Sequence, residues 1–151
     1  MDNAIFIDSW AWVALANQND PEYHLARRRF NSISKEGLRL FTSDYVLDEA
    51  FTQIFQDTCT HNYKCSPIAY EFVKKLFEGI TSKWLTLERI DKHRFESAKS
   101  LRGRFEDKPD ISFTDLTSFV VMNELGLRNV FTDDQHFERV NMGFNIWRDE
   151  I

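Results

Sequence analysis

The chain has 151 residues, 42% of them hydrophobic with 14 Phe and 4 Trp, and a formal net charge of -5. That length suits one domain over residues 1–151, able to bury roughly two-thirds of the surface its unfolded form exposes, and no apolar run approaches the roughly 18 residues of a membrane span. The acidic balance argues against a broad basic face that grips phosphates by itself, and the start Met1-Asp2-Asn3 is unlike a secretory signal, so a soluble cytoplasmic protein is expected.

Apolar strands and helical segments alternate along the chain. Ala4-Ile5-Phe6-Ile7 reads as strand one, and the apolar stretch 10–16 as a helix. Asp20-Pro21 offers an N-cap followed by proline at the first helical position, opening a helix to about Ile33 that Gly37 closes. Residues 38–41 predict strand two. Thr42-Ser43-Asp44 then offers caps for a helix with Tyr45, Val46, Ala50 and Ile54 on one stripe and Glu49 in its second turn. Ser66-Pro67 repeats the cap-plus-proline signal for a helix reaching Gly79-Ile80. Residues 84–87 predict strand three, and a helix runs from Asp91 through Phe95, Ala98 and Leu101. After the loop 106–110, another helix starts behind Ser112 and stops at Gly126. Asn129 to Phe131 is strand four, and residues 144–147 allow a short fifth. Strands separated by helices pair in parallel through right-handed crossovers, which predicts a three-layer α/β/α sandwich around a mainly parallel sheet of four to five strands.

Four acids, Asp8, Glu49, Asp115 and Asp134, stand where an apolar strand gives way to a loop or a helix start. The carboxyl ends of parallel strands form the ligand crevice of such a sheet. Carboxylates gathered there repel one another, so protons or hard divalent cations must hold them together, and oxygen ligands suit Mg²⁺ or Mn²⁺. Each acid also has a structural explanation, weakest for Asp8, because an ionised carboxylate on an apolar strand loses hydration unless it is paired or metal-bound. Glu49 reads equally as an exposed helix residue, with Asp44 and Asp48 as competitors for its role. Ser112 and Asp115 fit a capping box in which the carboxylate reaches back to the cap amide.

Other chemistries find less support. A haloacid-dehalogenase-like phosphatase needs a second Asp where this chain has Trp10, and the five glycines form no phosphate-cradling signature. Cys59 and Cys65 are expected to be reduced thiols in a domain with this much core, and Cys59, His61 and Cys65 lack a fourth ligand for zinc. Arg27-Arg28-Arg29 is a solvated helix face or one wall of a substrate groove.

The set Ile7-Asp8-Ser9, Tyr45-Val46-Leu47-Asp48-Glu49, Ser112-Phe113-Thr114-Asp115 and Thr132-Asp133-Asp134-Gln135-His136-Phe137 resembles a PIN domain over nearly the whole chain. The resemblance implies a catalytic metal site of Asp8, Glu49, Asp115 and Asp134 holding Mg²⁺ or Mn²⁺. Adjacent side chains diverge, and the Thr132 register favours Asp134, with Asp133 as a supporting or alternative ligand. Ser9 and Thr114 are candidate supports or simple caps, and His136 is expected to pack beside Phe137 at the surface. Stand-alone chains of this length resemble the toxins of VapBC-type toxin-antitoxin systems. The implied activity is metal-dependent hydrolysis of RNA phosphodiester bonds by a type II toxin, restrained by a small antitoxin protein whose tail wraps a groove near the site. The alternatives are a PIN nuclease of RNA processing and a non-catalytic RNA-binding or protein-binding module. The aromatics of Trp10-Ala11-Trp12 and of residues 51–55 exceed the needs of a small core, so a partner surface and a homodimer are expected.

Overall fold

In the computed structural model, which describes residues 3–60, 62 and 64–149, the elements run in chain order as β1 (Ala4–Ile7), α1 (Ser9–Ala16), α2 (Tyr23–Lys35), β2 (Arg39–Ser43), α3 (Asp44–Thr58), α4 (Pro67–Ser82), β3 (Leu85–Glu88), α5 (Lys92–Arg104), α6 (Phe113–Leu125), β4 (Asn129–Phe131), α7 (His136–Arg139) and β5 (Asn145–Ile146). All five strands are parallel, in the order β3-β2-β1-β4-β5, with helices covering the sheet in a three-layer α/β/α arrangement. Strand β1 lies at the centre, and each of its four residues is fully buried, as a strand sandwiched between helical layers requires. From β1 the chain first moves outward to β2 and β3, then returns to β4 on the other side of β1. The strand order therefore reverses between β1 and β4, which opens a crevice at their carboxyl ends.

Local sequence sets most boundaries. Ser43, Ser66, Asp91 and Ser112 each cap a helix by accepting a backbone amide from the first turn, and Pro67 opens α4 where its missing N–H costs nothing. Gly126 ends α6 at φ 70°, the left-handed conformation that glycine adopts without strain. Helix α2 starts later than the Asp20-Pro21 signal predicts. The Asp20 side chain accepts the Glu22 amide in a turn of its own, and the helix begins at Tyr23.

The aromatic surplus is mostly internal. Trp12 is 1% exposed, with its indole N–H donated to Thr42 Oγ1 at 3.2 Å, and Trp10 packs edge-on against Phe131. The expected partner surface at residues 10–12 is therefore corrected: these rings fill the space between α1 and the sheet. Large apolar side chains that do reach solvent are Ile68, Tyr70, Phe77, Trp84 and Phe95. Among the described residues no helix is long and apolar enough to cross a membrane.

The cysteines overturn the expectation of free thiols. The α3–α4 connection doubles back on itself, with Thr60 N–H donated to the Lys64 carbonyl and Ser66 N–H to the Thr58 carbonyl, which sets Cys59 opposite Cys65 in a disulfide. The zinc alternative also involves His61, which lies outside the described residues.

Arg94 ties α5 to its neighbours. Its side chain is one-tenth exposed and binds Glu88 at 2.9 Å, Glu124 through two bonds at 3.2 Å and the Arg89 carbonyl. Glu124 is nearly half exposed, which weakens its share. Arg94→Met should lower unfolding free energy in a denaturant titration by about 2 kcal/mol, chiefly because Glu88 is left unpaired; an unchanged midpoint would show that the ion pairs carry no net stability.

Candidate active site

The crevice at the β1/β4 switch point is built from strand ends and helix starts. The Asp8 amide donates to the Phe131 carbonyl at 3.1 Å, extending the β1–β4 ladder by one residue, while Thr42 Oγ1 on β2 donates to the Ile7 carbonyl. Asp8 is thereby fixed from both neighbouring strands. It occupies the N-cap position of α1 without making a side-chain cap bond, so its carboxylate is available for another purpose. Thr132 Oγ1, fully buried, donates to Asp8 Oδ2 at 2.7 Å, and Asp8 Oδ1 is buried with no hydrogen-bond partner.

Asp115 enters from the first turn of α6. Ser112 Oγ accepts the Asp115 amide at 3.0 Å, which satisfies the cap, but no bond returns from the carboxylate to the Ser112 amide. The side chain is instead buried within hydrogen-bonding reach of Asp134. Asp134 follows β4. Its amide donates to Thr132 Oγ1, its Oδ1 accepts the His136 amide at 2.9 Å, and the His136 Nδ1 lies 2.9 Å from the same oxygen. Asp115, Asp134 and His136 offer ligand atoms within 4.8 Å of one another. Glu49, on the outer face of α3, is exposed and accepts the Ser9 hydroxyl at 2.6 Å.

The remaining candidates separate. Thr114 uses its carbonyl to accept the hydroxyls of Thr117 and Ser118. Asp133 is exposed and feels the positive charge of Arg29 as well as the negative charge of Asp134. Arg28 and Arg29 both pair with Asp149 near the chain end. His136 faces Asp134 rather than simply lying beside Phe137, because the Asp134 side chain folds the turn around it.

Two roles are not visible in the sequence. Thr132 enters the sequence reading only through the register that favours Asp134, yet its hydroxyl donates to one acid while accepting the backbone amide of another. Arg102, on α5, donates to the carbonyls of Phe105, Lys108 and Ile111, pinning the loop that delivers Ser112 and Asp115. No motif marks Arg102; a lone Arg after a predicted helix is indistinguishable from a solvated one.

Electrostatics follow from this crowding. Burial pushes the Asp8 carboxyl up to about 6, opposed by the Thr132 hydroxyl and the Ser9 amide and aided by the charges of Glu49 and Asp134. Burial pushes Asp115 up to about 8, with Asp8, Asp134 and Glu49 adding repulsion. A cation would relieve all of these penalties at once. Asp115 and Asp134 offer carboxylate oxygens suited to a hard divalent ion, with the His136 imidazole in the same group of ligand atoms; Asp8, whose buried Oδ1 is orphaned, and Glu49 lie outside that group and border it.

No family model matches the chain. It is 29% identical over 133 residues to the 23S rRNA-specific endonuclease VapC20 of Mycobacterium tuberculosis, covering 88% of this chain and 91% of that protein. The crystal structure of Mycobacterium tuberculosis VapC20, described as a sarcin-ricin loop cleaving toxin, superposes with a TM-score of 0.73 at 26% identity over 94% of this chain and 97% of that one. The chain resembles VapC-type toxins in sequence and fold. Its sandwich is PIN-like.

Raised carboxyl pKa values make a signed prediction. Between about pH 4 and pH 8 the folded metal-free protein holds protons that the unfolded chain has released, so Asp8 and Asp115 stabilise the fold least at the alkaline end. Asp115→Asn should therefore melt at a temperature that increasingly exceeds wild type as pH rises through this window in EDTA, and excess Mn²⁺ should reverse the order. A melting difference independent of pH would show that these acids are not crowded.

Proposed function

We propose that the chain is a metal-dependent endoribonuclease, the toxin of a type II toxin-antitoxin pair, acting as one PIN-like domain on a structured RNA. The observation that carries this reading is the burial of Asp8 and Asp115 beside Asp134 at the β1/β4 switch point, in a chain similar to a 23S rRNA-specific endonuclease. Such a site is unfavourable empty and favourable around a cation.

Asp8, Asp115 and Asp134, supplemented by Glu49, would hold Mg²⁺ or Mn²⁺. A bound cation would supply Lewis acidity toward the scissile phosphate and neutralise charge developing in the transition state. The chain's own groups do the positioning. Thr132 fixes Asp8 so that Oδ1 is the atom presented to the crevice, and His136 fixes Asp134 through the same oxygen that closes its turn. Ser9 orients Glu49, the most exposed of the four acids, which would receive a proton from the attacking water. With water as the nucleophile, its oxygen would bond to phosphorus as its proton passes to Glu49, and the P–O ester bond would break with the departing ribose oxygen taking a proton from solvent.

The similarity to VapC20 supports RNA as substrate, with a small antitoxin as the cognate partner, and the reading includes a cytoplasmic location and a homodimer. Purified protein with Mg²⁺ or Mn²⁺ should cut a panel of ribosomal stem-loop RNAs, EDTA should abolish cutting, and Asp8→Asn should reduce it by at least about 100-fold while leaving the fold intact. Cutting that survives EDTA, or an Asp8→Asn protein with full activity, would contradict the assignment.

A further inference from the structure

The proposed cleavage site leaves unexplained what holds the RNA beside it, since a chain of net charge -5 has few cations to spare. Three aromatic rings follow one another across α3, α6 and α5, the first two of which also carry Glu49 and Asp115. Tyr45 is the second residue of α3, four before Glu49 and so on the same helix face. Phe113 is the first residue of α6, two before Asp115. Their ring centroids are 6.4 Å apart, and Phe113 in turn lies 5.1 Å from Phe95 on α5. Tyr45 and Phe113 are half-buried, whereas Phe95 is 41% exposed.

The ledge is rigidly mounted. The Asp44 carboxylate accepts the amides of both Tyr45 and Ile90, joining the start of α3 to the end of β3, and Ser112 with Arg102 fixes the start of α6. Lys92, three residues before Phe95 on the same helix face, is exposed, as is Arg89 just upstream. Core packing explains Phe113, which rests against the main apolar cluster, but not an exposed Phe95, whose neighbours along the helix are the exposed Lys92, Asp91 and Glu96. Stacking aromatics bordered by Lys and Arg are what unpaired bases require, because every base has a π-face and every step a phosphate.

We propose that Tyr45, Phe113 and Phe95 form a stacking ledge for an unpaired nucleobase beside the scissile phosphate, with Lys92 and Arg89 holding the adjoining backbone. The ledge rests on the ribonuclease reading and names the residues that would hold an unpaired base of such an RNA. Duplex bases, stacked on one another, offer no free face to these rings.

The test uses the full chain carrying Asp8→Asn, titrated onto an RNA stem-loop with 2-aminopurine in the loop. Wild-type aromatics should change the loop fluorescence on binding. Phe95→Leu and Phe113→Leu keep apolar bulk but remove the ring, and each should weaken binding by roughly 5- to 100-fold and abolish the fluorescence change. Phe95→Tyr should restore both. In the active background, Phe95→Leu should raise KM with kcat nearly unchanged. Binding and fluorescence unaltered by both Leu variants would overturn the ledge, while metal-dependent cleavage by the wild type would leave the ribonuclease reading standing. Absence of RNA binding and cleavage in the wild type would remove both. Loss of affinity that tracks a halved solution mass in Phe95→Leu would instead assign the face to contact between two copies of this chain, which also overturns the ledge.

Discussion

Repulsion among buried carboxylates is the constraint around which the rest of this structure is organised. Asp8 and Asp115 lie almost out of solvent with Asp134 and Glu49 close by, and burial together with like charge drives their carboxyls to about 6 and about 8. In a low-dielectric crevice such a group is stable only when protonated or when it shares a positive ion. Among the described residues Arg94, Arg102 and Arg28 are committed to carboxylates or carbonyls elsewhere, and Arg29 lies nearest Asp149.

The topology makes that crowding possible. Because the strand order reverses between β1 and β4, the loops after these strands diverge and leave space, and the second turn of α3 and the first turn of α6 bring Glu49 and Asp115 to the same edge. Thr132 and Thr42 then use buried hydroxyls to fix the end of β1 from opposite sides. The site is consequently carried by regular elements rather than by long loops, which gives its acids little room to relax away from one another.

Much of this was legible in the sequence because the signals are local. The caps at Ser43, Ser66, Asp91 and Ser112 and the stop at Gly126 act within a few residues of themselves, so helix positions followed directly. Asp8 was conspicuous because nothing short-range accounts for a carboxylate at the end of an apolar strand. What escaped depends on partners distant in the chain. The Thr132 hydroxyl finds Asp8 across 124 positions, Trp12 finds Thr42 across 30, and neither distance leaves a trace in periodicity. His136 was misjudged for a different reason: its position depends on Asp134 folding back on its own turn, a choice that sequence spacing leaves open. The disulfide was missed because composition speaks to whether a core needs one, and not to whether a tight connection between α3 and α4 brings two sulfurs together.

The central claim is that the crevice exchanges protons for a cation. Calorimetric titration of Mn²⁺ into the purified protein at pH 7, repeated in buffers of different ionisation enthalpy, counts the protons released on binding. A carboxyl held near 8 is mostly protonated at that pH, so binding should release about one proton per chain, and Asp115→Asn should bind more weakly with release close to zero. Tight binding with no proton release, or release unchanged in Asp115→Asn, would contradict a cation site formed by these acids.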